Sequence, residues 1–134
     1  MTATTQDRGT PHRGAELFVA PLAAGVRIPA GTIVCANAGG FAVPAAADAA
    51  LVVLGMADNA ADNSGGADGG TTVRIRRGRM FRWANNPADP VTQASLGRPC
   101  YVSDNQTVAR THATNTRPLA GTVLDIDVDG VWVL

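Results

Sequence analysis

Few residues in this chain stand where they could do covalent chemistry. The stretch DIDVDG, Asp125 to Gly130, has the spacing with which a calcium loop begins, alternate carboxylates ahead of a glycine. Such a loop also needs a bidentate Glu at its twelfth position. Counted from Asp125, that position falls beyond Leu134. The stretch reads more simply as a strand with Asp125, Asp127 and Asp129 facing solvent and Leu124, Ile126 and Val128 on the other face, turned back by an Asp129-Gly130 hairpin. The two histidines, His12 and His112, lie in polar segments with no Ser or Cys in a recognisable catalytic frame. Cys35 and Cys100 share no metal or redox spacing and read as small buried apolar residues. No glycine-rich turn leads into a helix carrying a phosphate-binding lysine. These residues assign no catalytic group, metal ligand or cofactor, and the chain reads as a protein that is not an enzyme.

The strongest local signal is cationic. Between Arg74 and Arg82 stand five arginines in nine residues, TVRIRRGRMFRW. In strands, residues two apart share a face. Thr72, Arg74 and Arg76 then lie opposite Val73, Ile75 and Arg77; beyond Gly78, Arg79, Phe81 and Trp83 lie opposite Met80 and Arg82. A nucleic-acid platform calls for one basic face with interleaved aromatics, and these cations are divided between faces. Asp58, Asp62 and Asp68 precede the run and Asp89 follows it, ready to pair with it. Two readings stand: a charged edge that resists strand-to-strand aggregation, or contact with acidic patches of another subunit. Direct nucleic-acid binding is the weaker third.

The elements that must carry these residues are short and β-like. ELFVAP, GTIVCA, GFAVP, ALVVLGMA, TTVRIRR, RMFRWA, PCYVSD, QTVAR, AGTVLDID and GVWVL are separated by turn signals about every 8 to 12 residues, the pattern of a sandwich or barrel. Asn37 and Gly39 suit a positive-φ turn between the second and third of them. DNAADNSGGADGG, Asp58 to Gly70, offers no side chain to anchor a core and is expected to be an exposed loop. DPVTQASLG predicts one short helix, with Asp89 as N-cap, Pro90 at the first helical position and Gly97 as the stop. An internal repeat is suggested by spacing: Gly31 and Gly97 stand 66 residues apart, as do Gly55 and Gly121, each time around a hairpin and a later strand that opens with glycine. The expected fold is all-β, a small β-sandwich or barrel of short antiparallel strands with one short helix and an extended N-terminal arm. Residues 1–15 form that flexible arm, being rich in Thr, Gly and charge, and residues 16–134 form a single β domain.

Composition narrows the function. The 134 residues are net neutral, and all eleven bases are arginine. A neutral chain is not, as a whole, a polyanion binder. Apolar content is 46%, but 24 of those residues are alanine and only six are aromatic. The core must rest on Val, Leu and Ile, and assembly with other chains would help it. No stretch approaches the roughly 20 apolar residues of a membrane span, and MTATTQDRGTPHRG has no apolar signal region. The expectation is a protein made in the cytoplasm that engages no membrane.

The order LGMADNAADNSGGADGGTTVRIRRGRMFRWAN, DPVTQASLGRPCYVSDNQTVA, TRPLAGTVLDIDVDGVWV, covering roughly Leu51 to Val133, resembles the capsid decoration, or cement, proteins encoded beside the major capsid protein in tailed bacteriophages. The resemblance implies a mainly β virion structural protein, often a trimer, that binds the outer capsid surface and stabilises the head lattice against packed DNA. It implies two partners, the major capsid protein and further copies of this chain as a homotrimer. It places the capsid-binding arm at Thr2, Thr4, Asp7, Arg8, His12 and Arg13, and a subunit interface at Arg74, Arg76, Arg77, Arg79, Phe81, Arg82 and Trp83. The alternative is a virion-displayed host-surface or glycan-binding module, which would need Trp83 and Trp132, the only tryptophans, as an exposed pair.

Overall fold

The computed structural model describes residues 2–11 and 13–134. It is almost entirely β, as the alternating runs predict. The strands are β1 (Leu17–Pro21), β2 (Arg27–Ile28), β3 (Ile33–Ala36), β4 (Ala42–Pro44), β5 (Val52–Ala57), β6 (Ala61–Asp62), β7 (Thr72–Arg76), β8 (Phe81–Asn85), β9 (Pro99–Val102), β10 (Thr107–Ala109), β11 (Leu119–Asp127) and β12 (Gly130–Val133). The first sheet runs β1-β7-β5-β3-β4, and a closed barrel runs β8-β12-β11-β9-β10 before β10 returns to β8. A small β2-β6 ladder stands apart. The two five-strand orders are the same order met twice, and the 66-residue repeat expected from the glycines is present in the backbone.

Its register can be followed bond by bond. Gly31 N–H donates to the Ala57 carbonyl at 2.8 Å, and Gly97 N–H to that of Val123 at 2.8 Å. Ala57 N–H donates to Thr32 at 2.9 Å, and Val123 N–H to Arg98 at 3.0 Å. Val34 faces Gly55 and Cys100 faces Gly121, and in both ladders the register slips by one residue just beyond that pair. Such a bulge re-aims the strand and demands unusual backbone. Gly55 and Gly121 take φ of +153° and +155°, and a Cβ on either would overlap a carbonyl oxygen, that of Arg76 or of Leu134. The glycines visible in sequence are therefore required by two equivalent close approaches of strands.

The repeats differ at their seams. In the second, Ala84 N–H donates to Gln106 and Asn86 N–H to Val108, both at 2.9 Å, closing β8 against β10 in parallel. In the first, Ala23 N–H donates to Ala42 at 3.0 Å beside the isolated parallel bridge Leu22–Ala42. The residue standing where Ala84 would is Pro21, which has no N–H to give. The first barrel closes with one backbone bond fewer.

Alternation decides the packing. On β3, Val34 points into the first barrel with Leu22, Ile28, Val73 and Ile75. Ile33 and Cys35 point the other way and join Cys100, Val102, Val108, Val123 and Val131 of the second repeat in a single buried cluster. The two barrels thus share a core built from Val, Ile, Leu, Ala and Cys. Connecting β7 to β8, Gly78 passes from one barrel to the other, so the arginine-rich strand pair is not a hairpin: β7 lies between β1 and β5, and β8 between β12 and β10.

Several local expectations are corrected. The one short helix is present as a 3-10 turn, Gln93–Ser95, but its N-cap is Thr92 and not Asp89, which accepts the Thr111 hydroxyl instead. In the β3–β4 turn the positive φ belongs to Gly40, at +83°, while Asn37 stabilises the turn by accepting the Gly39 and Phe41 N–H groups at 3.0 Å. The Asp58 to Gly70 segment is anchored after all. It contains β6, and buried Asn63 donates its amide to the carbonyls of Ala23 and Ala67 at 2.9 and 2.8 Å. On β11 a bulge between Val123 and Asp125 sends Leu124 outward, and Val128 sits 99% exposed at the hairpin tip.

Gly55→Ala and Gly121→Ala should each destabilise the protein by at least about 1 kcal/mol, since neither site can accept a Cβ at its φ. Urea melts of the two variants check this. Equal losses are expected from the equivalent geometry, and a wild-type midpoint for either would refute the strand contact.

Candidate interaction surfaces

The arm residues Thr2, Thr4, Asp7, Arg8 and Arg13 are all exposed, and His12 lies outside the described residues. Among the described residues ahead of Glu16, none exchanges a backbone hydrogen bond with the barrels; the first such contact is Arg77 N–H donating to the Glu16 carbonyl at 3.0 Å. Within the arm, the Thr4 hydroxyl and the Gln6 backbone close a local turn. A segment of this composition buries nothing that could hold it against its own body.

The arginine segment divides into three environments. Arg76 donates Nε–H to Asp58 at 3.0 Å, and Arg74 stands 3.7 Å from the same carboxylate, on the outer face of β7 opposite buried Val73 and Ile75. Arg82, on β8, lies 3.9 Å from Asp129 and 5.8 Å over the Trp132 ring. Arg77 and Arg79 flank Gly78 in the connector, are exposed, and have no carboxylate within 4.0 Å among the described residues. Of the acids expected to pair with the run, Asp62 and Asp68 instead cap turns, accepting the Ser64 and Ala24 N–H groups. Asp89 pairs with Arg117 at 2.9 Å.

Between the barrels, beneath Arg77 and Arg79, opens a cleft of about 410 Å³. Leu51 and Val53 of the first repeat, Leu119 and Ala120 of the second, and Phe81 and Trp83 floor it. Phe81 and Trp83 pack at 6.0 Å between ring centroids. This places Arg77, Arg79, Phe81 and Trp83 of the expected interface at one surface and Arg74, Arg76 and Arg82 away from it. The cleft itself was invisible in sequence, because its walls come from segments some 66 residues apart. Trp83 and Trp132 form no pair: cross-strand partners share a face, Trp83 stands opposite Val131 and Trp132 opposite Arg82, so the rings lie on opposite sides of the sheet.

Other polar groups hold turns. Asp127 accepts the Trp132 indole N–H at 2.8 Å together with the Asp129 and Gly130 N–H groups, and these bonds, the indole's first, lower its pKa. The DIDVDG stretch is thereby a hairpin. Among the described residues no three His, Cys, Asp or Glu side chains converge as a metal site. His112 accepts the Asn115 N–H at Nδ1, 2.8 Å, and so holds a turn in which Ala113, Thr114 and Asn115 all have positive φ. Among the described residues no helix is long and apolar enough to cross a membrane.

No protein-family model, curated protein or solved structure matches the chain.

Two measurements follow from these environments. Cys35 and Cys100 are fully buried, and burial pushes each thiol up to about 12. Neither should react with an aromatic disulfide reagent at neutral pH until the protein unfolds; fast labelling of the native protein would contradict their placement. Asp89 is held below the ordinary carboxylate value of 3.8, chiefly by the Thr111 hydroxyl; burial opposes this, and the Thr111 amide and Arg117 lower it further. A lowered folded-state pKa gives stability that is present above 3.8 and lost as pH falls through the folded value. Asp89→Asn should cost about 1–3 kcal/mol at neutral pH and flatten the acid limb of stability against pH, read by thermal melts.

Proposed function

We propose that this chain is a capsid decoration subunit, a virion structural protein that binds the outer surface of a tailed-phage head and stabilises its lattice without catalysis or cofactor. The reading rests on the order of motifs between Leu51 and Val133 together with one structural observation: a polar arm that buries nothing against its own barrels, joined to a rigid β body. A cement protein works by mass action. Binding the assembled lattice and not its dissociated subunits stabilises the lattice by the binding free energy, and many weak copies on a repeating shell suffice. In this reading the arm, including Asp7, Arg8 and Arg13, reaches the major capsid protein. The barrel body, in a homotrimer, stands above the shell.

Purified protein should bind expanded capsids in repeating stoichiometry, and removing residues 1–14 should weaken binding on the order of tenfold or more in a pelleting assay. Undiminished binding of the truncated chain would remove the arm from the mechanism, and no binding by the full chain would remove the function.

A further inference from the structure

The hairpin tip joining β11 to β12 is an unusual surface for a chain of this composition. Val128 is 99% exposed in a turn position where small or polar residues are the rule. Asp125, Asp127 and Asp129 surround it, and Leu124, 42% exposed, stands on the same outer surface. Asp127 is committed to the turn and to Trp132. Asp125 has no cation within 4.0 Å among the described residues, and Asp129 has only Arg82 at 3.9 Å, an exposed pair of little strength. The tip is thus an apolar point ringed by acid: three carboxylates against one guanidinium.

The cleft between the barrels has the opposite character. Its floor is apolar, with Val52 and Leu119 at its edge still 64% and 56% exposed. Arg77 and Arg79 stand over it with no carboxylate within 4.0 Å among the described residues; Glu16, just ahead of β1 and beside Gly78 in space, forms an ion pair with neither. Exposed apolar floor and unpaired cations mark a surface built to be covered.

We propose that the β11–β12 hairpin tip of one copy docks in the Arg77–Arg79 cleft of another, Val128 meeting the apolar floor while Asp125 and Asp129 face the two arginines. A single chain cannot make this contact with itself. Leu119, at one end of β11, lines the cleft, and Asp127, at the other, carries the tip. Nine residues of strand hold the two ends about 26 Å apart. β11 is paired to β9 and β12 along that length and cannot fold back. One surface gives and a different surface receives, so two copies can exchange tips reciprocally, or successive copies can join head-to-tail into a ring or a filament. The inference does not depend on capsid binding. A chain that ignored phage heads could still associate in this way, and a chain that bound them as a monomer would refute this contact and the homotrimer while leaving capsid binding intact.

The test uses the full chain in sedimentation velocity over a concentration series. The parent should associate, more tightly at low salt than at high. Asp125→Arg with Asp129→Arg in one chain, and Arg77→Asp with Arg79→Asp in another, should each weaken association on the order of tenfold or more. Mixing the two should restore it, because each reversed tip then meets a reversed cleft. Val128→Ser, a change at a fully exposed turn, guards against misfolding of the charge variants and should weaken association several-fold with an unchanged thermal melt. A monomeric parent, variants that associate like the parent, folded variants that fail to rescue one another on mixing, or a Val128→Ser chain of parental association would each overturn the proposal.

Discussion

A strand buried on both faces holds this molecule together. β3 turns Val34 into the first barrel and Ile33 and Cys35 into the core it shares with the second. Ordinary barrel strands bury one face and wet the other, so the outward positions of β3 are where the two repeats join. The equivalent positions of the second repeat, 66 residues on, show what happens without such a neighbour. Ile33 becomes Pro99, Cys35 becomes Tyr101, Leu51 becomes Arg117 and Val53 becomes Leu119. Pro99 is exposed and Tyr101 half-buried, and Arg117 spends its charge on Asp89. Two repeats share one backbone plan and divide its surfaces, one outer face joined and the other left to solvent.

That arrangement explains how a chain with so few aromatic side chains keeps a core. Each barrel interior is small, and its members are mainly Val, Ile, Leu, Ala and Cys. Small cores are marginal because surface grows slowly against volume as a domain shrinks. Packing the barrels against each other buries a second layer around Ile33, Cys35, Ala45 and Val91 that neither would bury alone. Little polar material is trapped in the process: among the described residues Asn63 and Ser95 are the buried polar ones, and both amide hydrogens of Asn63 are taken by carbonyls.

Much of this was legible in the sequence because it is local. Alternation gave the inward faces of Val73 and Ile75, and the recurrent glycines gave the repeat, since each marks a backbone that only glycine can follow. What failed was long-range or depended on a single side chain. Nothing near Arg77 or Arg79 says that β7 and β8 belong to different barrels, or that Leu51 and Leu119 meet beneath them. Asn63 looked like loop composition until its amide found two carbonyls, one of them 40 residues away. Leu124 follows the strand pattern in sequence and leaves it in space, because one bulge inverts the alternation. Of the surfaces, the cleft required the fold.

The proline at the seam of the first barrel makes the two closures unequal. β1 is zipped to β7 along its length, but on its other side the missing Pro21 N–H leaves a thinner closure than Ala84 gives to β8. One backbone bond is worth about 1 kcal/mol against local opening. Local opening of the first repeat therefore costs less at the β1 seam than opening of the second costs at β8.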